Sequence, residues 1–284
     1  MKKLLVLTDF SAIATHAAEY AYTMAKHMNA DIILCNAVIV AADIPRAGLA
    51  AWPLEERDTF VQNSDEEIKL LKIHLEKYDH TGNYKPAVTF VNDPGTLTNV
   101  LNDTLKESQI DLVVMGAHGG DGNNIFLLDD HCMNMIKNIH KPLLLIPPTA
   151  NFSPFKKIAF ATDFKNPDDD LPFIYMLIVL AKQLNAEILL THIHDGKYQS
   201  PAFEHWIKNF LVELADTANY PHIYYKMVKS RNTESGLDWV SEHGEVDLLA
   251  MVHRQHGFLD NLLHGSDTKK MAGQLTIPLL VFQD

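Results

Sequence analysis

The feature that most constrains this chain is that it contains itself twice. KLLVLTDF at 3–10 is matched by KIAFATDF at 157–164, and both apolar runs end in Thr-Asp-Phe. The match continues in order: AKHMNADIIL (25–34) with AKQLNAEILL (181–190), IDLVVM (110–115) with VDLLAM (246–251), and KPLLLI (141–146) with IPLLVF (277–282). Four collinear matches indicate duplication of one domain. The spacing shortens between the second and third match, so the first copy carries about 20 extra residues after its second strand, within 39–64. A proline- and polar-rich stretch, PPTANFSPF (147–155), separates the copies. It reads as a linker, giving domains at 1–147 and 156–284 joined by 148–155.

Within each copy, short apolar runs alternate with longer segments of helical period, the pattern of a parallel sheet covered on both faces by helices. In the first copy the strands fall at 3–8, 31–38, 87–91, 111–116 and 142–146. Helix faces are marked by Ala14, Ala17, Ala21, Met24 and Met28, by Ile68, Leu71, Leu75 and Tyr78, and by Leu97, Val100, Leu101 and Leu105. Phe203, Ile207, Phe210, Leu211 and Leu214 mark the second helix of the second copy. The fold class is therefore α/β, with two tandem Rossmann-like domains of five parallel strands each.

Composition supports a globular protein and narrows its partners. With 284 residues, 47% of them hydrophobic, each half can bury a core. Asp and Glu number 36 against 24 Lys and Arg, and the resulting formal charge of −12 repels nucleic acid and anionic membranes. The two cysteines, Cys35 and Cys132, sit among apolar residues at a spacing that suits neither a disulfide framework nor zinc, so both read as buried thiols. Leu4–Leu7 is too short for a signal peptide's apolar region, and no stretch is long enough to span a bilayer. These features predict a cytoplasmic protein.

A doubly wound sheet binds ligands at the carboxyl ends of its strands. After strand one stand Thr8-Asp9-Phe10-Ser11 and Thr162-Asp163-Phe164. The plain reading of these acidic residues is helix capping, and the functional one is a carboxylate that holds the base or sugar of a nucleotide. After strand four comes Met115-Gly116-Ala117-His118-Gly119-Gly120-Asp121-Gly122, whose glycines would let backbone amides approach phosphate oxygens.

Taken together, these motifs resemble the universal stress protein family over essentially the whole chain. That family's strand four ends in Met-Gly and is followed by Gly-x-x-Gly, nine residues, and Gly-Ser or Gly-Thr. The resemblance implies an adenine nucleotide alpha hydrolase-like fold and a site for ATP or another adenine nucleotide. The nucleoside would be held by Asp9 and Val38 in the first copy and by Asp163 and Ile193 in the second. Gly116 and Gly119 would cradle phosphates in the first copy, but Asp129-Asp130 stands where Gly-Ser belongs. Two carboxylates there repel a triphosphate unless a metal bridges them. The second copy keeps Gly265-Ser266, while Val252 and Gln255 replace both turn glycines. Arg254 and His256 are its candidate cationic contacts, and Gly257 could relax the turn. No assured cofactor follows, because neither copy keeps the whole motif.

There is no P-loop, nucleophile elbow or His-Glu-x-x-His, hence no reason to assert an enzyme. Of fifteen histidines, His192 and His194 lie at the end of the second copy's strand two. They are expected to chelate together only if the strand ends or bends there. With His253, His256 and His264 they define a minor metal reading against dispersed histidines. The apolar insertion with Ile44, Pro45, Leu49, Trp52, Pro53 and Leu54 reads as packing or a lid, and Asp168-Asp169-Asp170 as a solvated cap. The resemblance also implies that the copies pack as a pseudo-dimer through KPLLLI and IPLLVF, a contact that single-domain members make between chains. A further homodimer and an unknown protein partner stay open. The leading function is a non-enzymatic stress-response module. The alternatives are an adenine-nucleotide sensor using the second copy and a protein that binds a metal or lipid intermediate.

Overall fold

The computed structural model describes residues 2–38, 54–78, 84–117, 135–164, 167–194, 200–254 and 277–284. By its contacts the chain divides into two compact units, Lys2–Gly116 and Ala117–Asp284.

In the first unit the order along the chain is β1 (Lys3–Leu7), α1 (Ala12–Met28), β2 (Asp31–Val38), α2 (Leu54–Tyr78), β3 (Val88–Pro94), α3 (Leu97–Glu107) and β4 (Leu112–Gly116). The strands lie in the order β3-β2-β1-β4, and every pair is parallel. Parallel pairing demands a crossover after each strand, which the three helices supply. Leu4, Leu5, Val6, Ile32, Leu34, Val113 and Val114 are buried, as expected of strands covered on both faces. Adjacent residues on β2 identify those faces: Asn36 bonds Ser64 of α2, whereas Cys35 interacts with Thr104 of α3.

The second unit begins with β5 (Leu143–Ile146) and continues through β6 (Lys157–Ala161), α4 (Pro167–Leu184), β7 (Glu187–His194), α5 (Pro201–Ala218), β8 (Ile223–Lys229), α6 (Thr233–His243), β9 (Leu248–His253) and β10 (Leu279–Gln283). Five strands, in the order β10-β9-β6-β7-β8, are parallel, and β5 pairs antiparallel with β10, setting Leu143 against Val281. Phe155, in the stretch preceding β6, is fully buried, whereas Asn151, Ser153 and Pro154 before it are exposed.

The duplicated sequence repeats its local devices. Asn29 and Asn185 close α1 and α4 in the left-handed conformation (φ 51° and 53°), a role open to asparagine because its side chain tolerates that region. Asp111 accepts the amides of Lys2 and Lys3 (2.6 and 3.2 Å), and Asp247 accepts those of Lys156 and Lys157 (2.7 and 2.9 Å). These carboxylates hold strands β1 and β6 in register with β4 and β9. The helix faces read from sequence are buried at Ala14, Ala17, Ala21, Met24, Met28, Ile68, Leu71, Leu75, Val100 and Leu101. Tyr78, at the end of α2, is exposed instead. Of the α5 positions, Ile207 and Leu214 are buried, while Phe203, Phe210 and Leu211 are partly covered.

Candidate functional site

The turns from β1 into α1 and from β6 into α4 are built by the same device. Thr8 Oγ1 accepts the amide of Phe10, and Thr162 Oγ1 accepts that of Phe164, both at 3.0 Å. The two phenylalanines have positive φ, 64° and 51°, in a region costly for a bulky residue, so the surrounding contacts must hold them there. Asp9 Oδ1 accepts the amide of Ser11 at 3.0 Å, and Ser11 then caps α1 by accepting from Ala14 at 3.2 Å. The local work of Thr-Asp-Phe-Ser is thus to form a turn and start a helix.

Gly116 sits where α1 comes closest to β4. A Cβ there would lie 2.8 Å from Ile13 Cγ2 and 2.9 Å from the Ile13 carbonyl, so helix packing alone requires glycine. The same relation recurs at Gly236 on α6, where a Cβ would meet Ile193 Cγ2 at 2.6 Å. Ile193 therefore faces α6. The two strand-two candidates are not register equivalents. Thr8 and Thr162 donate their amides to Cys35 and Thr191, and Gly95 and Ser230 donate theirs to Val38 and His194. Val38 thus corresponds to His194, and Ala37 to Ile193. Gly119, Asp129, Asp130, Gln255, His256, Gly265 and Ser266 lie outside the described residues, as do Cys132 and residues 39–53 of the 39–64 stretch that holds the insertion.

The strand-end groups of the second unit are brought together, and they bond to each other. Arg254 donates from Nη1 to Asp170 Oδ1 at 2.8 Å, from Nε to Asp284 Oδ2 at 2.8 Å, and from Nη2 to the Asp169 carbonyl at 2.9 Å. Its guanidinium carbon also lies 5.6 Å from the centre of the Phe173 ring. Asp170 is buried and accepts the Thr162 hydroxyl at 2.5 Å through its other oxygen. The third residue of the Asp168-Asp169-Asp170 run is therefore an internal anchor, contrary to its expected role in a solvated cap. His253 Nδ1 lies 3.0 Å from Gln283 Oε1.

Beside this network is an aromatic cluster that sequence reading did not assemble. The Phe164 ring has His192, Phe203, Trp206, Phe210 and Tyr225 around it at centroid distances of 5.8–6.3 Å. Trp206 and Phe210, one turn apart on α5, stack at 5.3 Å. His192 Nδ1 lies 3.1 Å from the Thr162 carbonyl, and burial holds the ring's pKa below its ordinary value. Burial also pushes the Tyr225 hydroxyl up to about 12. The signal for this cluster was present in Phe203, Trp206 and Phe210, spaced to share one face of α5.

His192 and His194 need no bend to come together, because residues two apart on a strand share a face. Their rings are parallel, 6.3 Å between centroids, an arrangement that does not converge on a common ion. Among the described residues no group of three His, Cys, Asp or Glu side chains is placed to hold a metal. Cys35 is a buried thiol whose pKa burial raises to about 11. Among the described residues no helix is long and apolar enough to cross a membrane.

A parallel sheet with crossover helices, the Thr-Asp-Phe turn and the Gly116 contact define a Rossmann-like α/β protein. The model of the Universal stress protein family matches residues 1–147, and the chain belongs to that family. A universal stress protein of Methanocaldococcus jannaschii is 26% identical over 148 residues, covering 51% of this chain and 81% of that one. The crystal structure of a universal stress protein from Archaeoglobus fulgidus shares the fold from end to end, with TM-score 0.71, 14% identity, and coverage of 99% and 98%. The cytoplasmic domain of a prokaryotic cation chloride cotransporter shares it at TM-score 0.53 and 12% identity, covering 99% of this chain and 94% of that domain.

Proposed function

We propose that this chain is a non-enzymatic regulatory module of the stress response, cytoplasmic, in which the second copy's nucleotide cleft has been rebuilt as internal structure. The observation that carries this reading is the state of Arg254. Among the described residues the candidate cation for phosphate in the second copy, Arg254, is already paired with Asp170 and Asp284, so an entering triphosphate would have to break both contacts. An acidic residue that is 5% exposed would then be left with its charge uncompensated, which costs several kcal/mol. Phe164 and Phe203 pack against His192 beside the same strand ends, and Trp206 packs on both phenylalanines. These residues do not fit an adenine nucleotide, and they favour a self-contained module that acts through a protein partner.

In this reading the copies are 1–147 and 156–284, with 148–155 between them. The antiparallel pairing of Leu143–Leu145 with Leu279–Val281 supports the expectation that one chain supplies the contact two single-domain chains would otherwise make. Covalent linkage would then replace a concentration-dependent association. Adenine-nucleotide sensing by the second copy is the competing reading, favoured by the retained Gly265-Ser266.

Calorimetric titration of the nucleotide-free protein with ATP, with and without magnesium, separates the two. The expected result is no binding up to millimolar ATP. Micromolar binding abolished by bulky replacements of Gly265 and Ser266 would overturn the proposal and establish the sensor.

A further inference from the structure

We infer that helix α4 is a self-association surface for a second copy of this chain. Asp169, Pro172, Met176, Val179 and Gln183 follow the alternating three- and four-residue spacing of a coiled-coil seam along α4. Three of them form an apolar centre that faces solvent. Pro172 is exposed, Met176 is 39% exposed and Val179 52%. The opposite face of the helix, with Phe173, Ile174, Leu177, Ile178 and Ala181, is buried in its own unit. A helix that is apolar nearly all round is expected to be covered nearly all round.

The corresponding helix of the first unit shows what such a face requires. Pairing Asn29 with Asn185 as equivalent helix ends sets Tyr20 at the position of Met176 and Glu19 at that of Tyr175. Tyr20 is only 3% exposed, and Glu19 Oε1 lies 2.6 Å from His74 Nε2 of α2. There the 25-residue α2 crosses α1 and covers the stripe, whereas the second unit has the 18-residue α5 in its place. Met176 and Val179 are left without that cover.

The charges beside the stripe identify a second copy as the occupant. Asp168 lies at the amino end of α4 and Lys182 in its last turn, both exposed, on a line that also passes through Tyr175; Lys182 Nζ donates one of its three N–H groups to the Ala218 carbonyl at 2.8 Å. If two α4 helices pair antiparallel about a two-fold axis near Tyr175, Asp168 of each meets Lys182 of the other. The apolar centres then pack together and the helix dipoles oppose. A parallel pairing would set Asp168 against Asp168 and Lys182 against Lys182. The stripe is short, so the association should be reversible, with a dissociation constant in the micromolar range.

Sedimentation velocity on the full chain from about 1 to 100 µM tests this, with thermal melts confirming that each variant folds. The expected result is a monomer–dimer equilibrium that Met176→Glu with Val179→Glu abolishes. Asp168→Lys alone should weaken it several-fold, and adding Lys182→Asp should restore it. A wild-type monomer at 100 µM, a dimer indifferent to the Met176/Val179 change, or a dimer indifferent to Asp168→Lys would each overturn the inference.

Discussion

The same corner of the duplicated fold is built from opposite chemistry in the two units. Where strand two, the following helix and strand three meet in the first unit, Asn36 donates to Ser64 and Asn92, both at 2.8 Å. Ser64 also donates to Asn92, and Asn92 donates to Asp65 at 2.6 Å. In the second unit the position of Asn36 is taken by His192, and the corner is filled by Phe203, Trp206, Tyr225 and Phe164. One corner is fixed by directional bonds and the other by ring packing. The backbone is indifferent to that choice, because the strand register, the Thr-Asp-Phe turn and the asparagine helix ends repeat in both. Duplication freed the corners to diverge while the frame stayed fixed.

The sharpest way to break the comparison is to remove the hub of the aromatic corner. Phe164→Ala should destabilise the second unit by about 3 kcal/mol, since it empties a site contacted by five rings, and urea unfolding measures the loss. If Phe10→Ala, at the same turn of the first unit, proved equally damaging, the contrast between the corners would collapse.

A smaller effect is expected at the polar corner. Asn36→Ala leaves the Asn92 carbonyl and the Ser64 hydroxyl short of a partner, at a cost of about 1–3 kcal/mol. Asn36→Asp should be no better, because it places a second carboxylate in the neighbourhood of Asp65 and offers no amide donor. Recovery of full stability by Asp would show that the network has been misjudged.

The smallest effect is in pH dependence. The folded-state pKa of His192 is depressed by burial, so near pH 6.5 and below the unfolded chain takes up a proton that the folded chain refuses. Stability should therefore be intact above the unfolded pKa and decline as pH falls below it, and His192→Phe should flatten that decline. Denaturation midpoints between pH 5 and 8 would check it, and an unchanged slope in the variant would assign the dependence elsewhere.

The frame was legible because duplication prints each strand twice. A five-residue apolar run is ambiguous alone, yet Leu112–Gly116 and Leu248–His253 identify each other. Tyr78 departs from the pattern because helical period continues to the last residue of α2, where the ring is exposed and lies 5.8 Å from that of His74. The interior of the second cleft was less legible. Arg254, Asp170 and Asp284 are far apart in sequence, and no spacing rule marks a guanidinium as already paired. His192 and His194, two apart on β7, share a strand face without any bend, and only the structure shows that their parallel rings do not converge on an ion.

The antiparallel pairing of β5 with β10 also has a consequence for biogenesis. Leu143–Ile146 leaves the ribosome well before Leu279–Val281, which it will meet. At ordinary translation speeds the roughly 130 intervening residues take on the order of 10 s to emerge. For that interval a four-residue strand of leucine and isoleucine lacks its C-terminal neighbour. Completion of this pairing therefore waits on the emergence of Leu279–Val281, and nascent chains stalled before residue 277 should engage holdase chaperones more strongly than chains that have passed it.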